Sequence, residues 1–465
     1  MNKYKRLAKN TGVFFIGNFG SKVLSFLLVR FYTECLTKSQ YGTIDVITST
    51  LGFVVPIITL CITEAALRFS IDGIEKRDKI LTVAKSVIIS GNIIFLFSIP
   101  VLINFNEFRD YLLFFYLLTL TNSMYQMFAH YTKGCGDSKT FAFSGFLHTF
   151  IQITFNIVLL LLLRLGIAGY LLASITANVT CIIFLIIKRK LIKPLLVFNI
   201  DKALLKEMLK YSIPLIPNTI FWWIMASSDR YVILWMLGTE DNGLYTVANK
   251  IPNIITSLSS IFFGAWQLAS VEEGKSKDKN KFYSNTLQFV SLMLLVAISF
   301  IDVTIRPLFS VWVEKSYFIA WECTPLLILA SFFSCLSNYL GTNYTVMKKT
   351  KGVFLTTVVG ACINVFLNLL LTRLLGIKGT AFATVVSFAI TWIIRAIDTR
   401  KFVKIKYDFM LFCMPLLIVC VQTIVLSIGQ YNFGVQITCF ILIMIISFKY
   451  LKNNAAKILR ARKNK

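Results

Sequence analysis

Long apolar runs alternate with short polar, lysine-rich connections along almost the whole chain. Fourteen such runs are read at approximately 11–33, 43–67, 81–104, 110–130, 141–163, 166–187, 212–236, 244–269, 282–305, 318–343, 353–375, 376–397, 408–427 and 433–449. Crossing a hydrocarbon core as a helix takes about 20 residues, and most of the runs are of that size. Barrel strands would alternate apolar and polar positions, and these runs do not, so helices are the remaining spanning structure. The expected fold is all-α: a polytopic membrane protein of about 14 transmembrane helices. The first run is interrupted by Gly17, Asn18, Gly20 and Lys22 and carries no small-residue cleavage site. It is therefore expected to be kept rather than removed as a signal peptide.

Composition agrees with the pattern. Of 465 residues, 56% are apolar and only 15% charged, and the mean hydropathy is +0.72. That excludes a water-soluble enzyme, whose surface needs more charge. The formal net charge of +26 would suit a nucleic-acid binder, but the basic residues fall mainly between apolar runs, and no nucleic-acid partner is expected. Thirty-six Lys and Arg lie in the termini and in the connections after even-numbered spans, against seven in the alternate connections. The positive-inside rule then places both termini in the cytoplasm. The basic connection Lys188–Lys210 is expected to lie partly on the membrane surface. Ten cysteines sit mostly inside the runs without a CxxC pair and read as small apolar residues rather than metal ligands.

Two short segments recur. Leu36 to Gly42 joins spans one and two, and Leu237 to Gly243 joins spans seven and eight, 201 positions on. Gly166-Ile167-Ala168-Gly169 opens span six, and Gly376-Ile377-Lys378-Gly379 opens span twelve, 210 positions on. Both pairs fall at equivalent places in two six-helix units. Six is even, so both units enter the membrane in the same orientation, and parallel repeats of this kind bind substrate between their halves. The expected division is 1–190 and 211–400 as six-helix bundles, 191–210 as a basic cytoplasmic linker, and 401–465 as two added helices with a basic tail. Pro56 in span two and Pro252 in span eight are candidate bending points.

Five basic residues fall inside the spans: Lys22, Arg30, Lys85, Arg230 and Lys250. Each costs roughly 2.5–3.5 kcal/mol near the bilayer centre, unless it snorkels to the headgroups or lines a watery cavity holding an anion. Lys22 and Arg30 are eight residues apart, so they differ by about 80° and share a helix face. Asp229 is a candidate charge partner, and Asp45 and Glu64 stand at opposite ends of span two as interfacial acids or coupling groups. His148 in span five is a candidate proton site, or simply a hydrogen-bonded buried histidine. No GxxxxGK[ST] loop, GxSxG elbow or HExxH pair is present, so neither catalysis nor a cofactor is expected.

The run Asp229-Arg230-Tyr231-Val232-Ile233, then Gly238, then Asn242 to Pro252 resembles the polysaccharide-repeat-unit flippases of Wzx type. These belong to the multidrug/oligosaccharidyl-lipid/polysaccharide exporter superfamily. The resemblance extends to Gly264-Ala265-Trp266, to Asn10-Thr11 with Lys22 and Arg30, and to the two GIxG segments. It implies a V-shaped pair of six-helix bundles that opens alternately to either side of a bacterial cytoplasmic membrane. The implied cargo is an undecaprenyl-diphosphate-linked oligosaccharide, moved outward for capsule or exopolysaccharide assembly beside a polymerase and glycosyltransferases. Arg230 and Lys250 carry over as cavity cations, and Lys22 and Arg30 are similar in kind. The rival readings are a cation-coupled multidrug exporter, a peptidoglycan-precursor flippase and a membrane-embedded glycosyltransferase. The first should favour acidic cavity groups, and the last usually needs larger external loops than this chain has.

Overall fold

The computed structural model describes residues 26–72, 77–192, 200–273, 276, 278–347, 349–406 and 408–463. Among them are helices and no strands. Among the described residues, eight helices are long and apolar enough to cross a membrane. They cover the expected spans two, three, five, six, nine and ten, the eleventh and twelfth as one bent helix, and the thirteenth. The fourth, seventh and eighth expected spans are helical too, and the fourteenth is a shorter apolar helix, Phe433–Phe448. The fourth, Leu112–Gly134, carries Asn122, Gln126 and His130, and the seventh, Ile216–Met236, carries Asp229 and Arg230.

Spans two and eight are both interrupted near their prolines. Lys38–Ile58 contains Pro56, whose missing N–H weakens the helix. The chain breaks at Thr59–Cys61, with Leu60 and Cys61 at φ of 51° and 53°, before resuming as Ile62–Asp72. Side-chain-bearing residues pay roughly 1–2 kcal/mol each in that conformation, so surrounding packing must hold the break. In span eight, Thr239–Ala248 ends and Lys250–Glu273 begins, with Pro252 in the first turn, where its lack of an N–H costs nothing.

The two GIxG segments do the same local work. Gly166 (φ 52°) and Gly376 (φ 60°) each reverse the chain in the left-handed region, which glycine adopts without strain. The second glycine then lets the returning helix close in: a Cβ at Gly379 would lie 2.0 Å from the Leu371 carbonyl oxygen, and one at Gly169 3.2 Å from that of Leu159. Spans eleven and twelve thus form a hairpin inside Thr350–Asp398.

By contacts the described chain falls into two compact units, one of residues up to 234 with 238–243, the other of 235–237 with 244–463. The core of the first gathers Ile62, Ala65, Leu81, Ala84, Met127 and Leu185. Leu204 and Met208 from Lys202–Ser212 complete it. That helix belongs to the connection expected on the membrane surface. Its apolar side is covered by protein instead, its start being fixed by the Asp201 cap on the Leu204 amide and by Lys79, 3.2 Å from Asp201.

Candidate functional site

The spacing of two helices builds the central feature of the first unit. On Lys38–Ile58, Asp45, Ser49 and Phe53 recur at four-residue intervals and share a face. On Ile216–Met236, Trp223 and Arg230 lie two turns apart and also share one. Arg230 Nε donates to Asp45 Oδ2 at 2.5 Å, and its NH1 donates to the Ala226 carbonyl at 3.1 Å. Below the pair, Trp223 Nε1 donates to the Ser49 carbonyl at 2.8 Å, and the Tyr231 hydroxyl sits 2.6 Å from Thr50 Oγ1. Only 11% of the Arg230 side chain and 15% of that of Asp45 are exposed. A buried guanidinium is thereby neutralised by a carboxylate on another helix. Asp45 is thus turned into the protein, where it pairs with Arg230. Asp229 is itself buried and lies about 100° round the same helix from Arg230.

The other singled-out residues have separate local settings. Arg30 donates to Glu34 at 2.6 Å one turn along its own helix, with about half of both side chains exposed. Lys85 is buried on Arg77–Phe95 among Leu81, Ala84 and Ile88. Lys250 is half-buried at the first residue of Lys250–Glu273, at the interruption of span eight. Arg30, Lys85 and Arg230 belong to the first unit and Lys250 to the second. Lys22 lies outside the described residues. Glu64 sits in the first turn of Ile62–Asp72, where a negative charge is favoured, 3.6 Å from His130 Nδ1. His148 stacks on Tyr125 with ring centroids 5.0 Å apart. Its Nε2 lies 3.0 Å from Asn178 Oδ1, and Asn178 Nδ2 donates to Thr121 Oγ1 at 3.3 Å. His148 is thus half-buried and hydrogen-bonded.

The two repeated connecting segments meet each other. Ser39 Oγ lies 2.8 Å from Thr239 Oγ1, Asn242 Nδ2 donates to the Gly42 carbonyl at 2.9 Å, and Lys38 reaches Glu240 at 3.5 Å. A Cβ on Gly42 would stand 2.1 Å from the Thr239 oxygen, and one on Gly243 2.1 Å from the Lys38 oxygen. Equivalent glycines of the repeat thus let two backbones touch, each filling the space the other leaves.

Two buried charged residues escaped the sequence reading. Arg395, 1% exposed, donates to Thr356 and Thr357 hydroxyls at 3.0 and 2.9 Å and to the Ser337 carbonyl at 3.0 Å, tying together the helices of spans ten, eleven and twelve. Its place near the end of a run made it look like part of a connection. Asp302 is fully buried in Lys279–Trp312; it was legible as an acid inside the ninth run.

The solved structures similar to this chain are membrane transporters. The lipid II flippase MurJ in an inward closed conformation matches with a TM-score of 0.74 and 15% identity, over 96% of this chain and 99% of that one. An inward-facing multidrug resistance MATE family transporter matches with 0.71 and 11%, over 91% and 99%. A transporter from Pyrococcus furiosus follows with 0.61 and 11%, over 91% and 97%. No curated relative matches the sequence. At these identities the likeness is one of fold. A family model described as polysaccharide biosynthesis protein matches residues 7–267. The chain belongs to that family.

Proposed function

We propose that the protein flips undecaprenyl-diphosphate-linked oligosaccharide repeat units from the cytoplasmic to the outer leaflet of a bacterial plasma membrane, supplying surface polysaccharide assembly by alternating access. What carries this reading is the family match across 7–267, a stretch that contains Lys22, Arg30, Lys85, Arg230 and Lys250. In the proposed working parts, 1–190 and 211–400 are the two repeats, 191–210 joins them, and 401–465 is an addition. Lys22, Arg30, Lys85, Arg230 and Lys250 serve the diphosphate.

Moving sugar hydroxyls through hydrocarbon without partners costs several kcal/mol each on alkane-like scales, and a hydrated path removes most of that cost. The diphosphate needs charge-assisted donors, which Arg supplies in pairs. Arg230 is held by Asp45 in this structure, so it engages cargo by exchanging one anion for another. Asp45 keeps the guanidinium neutralised between cargoes. Outward movement of two negative charges across an inside-negative membrane is favoured by roughly 4–5 kcal/mol per 100 mV.

The test uses proteoliposomes loaded with an undecaprenyl-diphosphate oligosaccharide and a sugar-cleaving enzyme on one side only. Wild-type protein should expose the glycan to cleavage, and Arg30→Ala and Arg230→Lys should not, while inserting normally. Equal flipping in both variants would remove the cation assignment. A second reading, a peptidoglycan-precursor flippase, draws on the fold likeness to the lipid II flippase. Running the same assay with lipid II separates the two.

A further inference from the structure

A cavity of about 410 Å3 opens in the second unit between the end of Thr324–Val346 and the two ends of the Thr350–Asp398 hairpin. Such a volume is in the range of small-ligand sites, about 300–1,000 Å3. Tyr344, Lys349, Lys351, Asp398, Lys401 and Phe402 line it. The Lys349 and Lys401 ammonium groups lie 5.3 and 5.1 Å from the centroid of the same Phe402 ring. Asp398 receives the Tyr344 hydroxyl at 2.6 Å and Lys401 at 2.5 Å, so its charge is already spoken for. Three lysines against one paired carboxylate leave the cup with excess positive charge, its cations held near each other by a ring and an acid. Such a site gains most from an anion.

The source of that anion is written on the hairpin's outer sides. Lys351, Leu355 and Val359 recur at four-residue intervals and are all exposed, as are Ile393, Ile397 and Lys401. Each lysine therefore tops an exposed apolar stripe running into the membrane, 62% exposed at Leu355 and 62% at Ile397. Soluble phosphates need no such stripe, whereas an acyl chain does. Basic pockets at helix ends are a recurrent way of holding anionic headgroups.

We propose that this cavity binds the phosphate-bearing headgroup of an anionic phospholipid, with its acyl chains along the Leu355 and Ile397 stripes. The site is independent of the cargo assignment.

Full-length protein in nanodiscs should retain phosphatidylglycerol in preference to phosphatidylcholine, as read by mass spectrometry of the bound lipid. Lys349→Gln, Lys351→Gln and Lys401→Gln should each weaken that preference about fivefold, the worth of one cation near a charged surface. Lys404→Gln with Lys406→Gln, on the neighbouring connection, should leave it unchanged, and thermal unfolding should be normal in all variants. The proposal is overturned if the triple variant keeps the full preference, or if the Lys404/Lys406 pair loses as much, since diffuse surface charge would then suffice. It is also overturned as a lipid site if inorganic phosphate alone displaces nothing from wild type yet binds in the absence of lipid with the same lysine dependence.

Discussion

Asp45 and Arg230, 185 positions apart, bring a carboxylate oxygen and a guanidinium nitrogen within 2.5 Å inside a unit that covers most of both side chains. Each charge offsets the burial of the other. Removing one partner of a buried pair typically costs about 3–5 kcal/mol, because the survivor stays desolvated and unpaired. Asp45→Asn should therefore lower stability in detergent by about that amount. The exchanged pair, Asp45→Arg with Arg230→Asp, should recover much of it while failing to flip cargo. Thermal unfolding and the glycan-exposure assay read the two effects separately.

Gly42 and Gly243 are expected to tolerate no side chain. Gly42→Val would drive carbon into the Thr239 carbonyl, and Gly243→Ala into that of Lys38; neither backbone can yield without losing the Ser39–Thr239 and Asn242–Gly42 contacts. Cysteines at 39 and 239 should cross-link readily under mild oxidation, as judged by peptide mass spectrometry. In a Gly42→Val background the same pair should cross-link several-fold more slowly.

Arg395→Ala should destabilise the second unit by about 3–5 kcal/mol, through a cavity and several hydrogen-bond acceptors left empty. Arg395→Lys should recover little of this, since one ammonium cannot span Thr356, Thr357 and the Ser337 carbonyl together. Hydrogen exchange along the hairpin provides the check.

Two aspartates outside the spans set an acid limit. The backbone amides of Thr140 and Leu204 hold Asp137 and Asp201, respectively, below the ordinary value of 3.8, with Arg189 and Lys79 adding to the effect. Because the folded values lie below the unfolded ones, the stabilisation is complete above about pH 4 and disappears as pH falls below it. Asp137→Asn and Asp201→Asn should flatten that part of the pH–stability profile, as measured by unfolding between pH 3 and pH 6, both about the carboxylate range.

Much of the architecture was visible in the sequence, because hydropathy along a spanning helix is a local property. The glycine repeats were legible too, since turn chemistry is written in adjacent residues. Partnerships across the fold were not. Nothing near Arg230 in sequence names Asp45, which lies 185 positions away on another helix. Interruptions in spans two and eight were suggested by Pro56 and Pro252, but their positions depend on packing at Leu60, Cys61 and Asn249. Arg395 looked like an interfacial residue because burial by neighbouring helices leaves no trace in hydropathy. The Lys202–Ser212 helix showed one apolar side, and sequence alone could not say whether lipid or protein would cover it.

The hairpin turned at Gly376 also governs how the chain is made. With no loop between its arms, neither arm can halt in the bilayer on its own while the other waits on the ribosome. The two are expected to enter as a single folded-back element, with the basic residues Arg373 and Lys378 near its tip. A side chain at Gly376 would thus be felt during synthesis, in the yield of correctly threaded protein, before it was felt in any finished molecule.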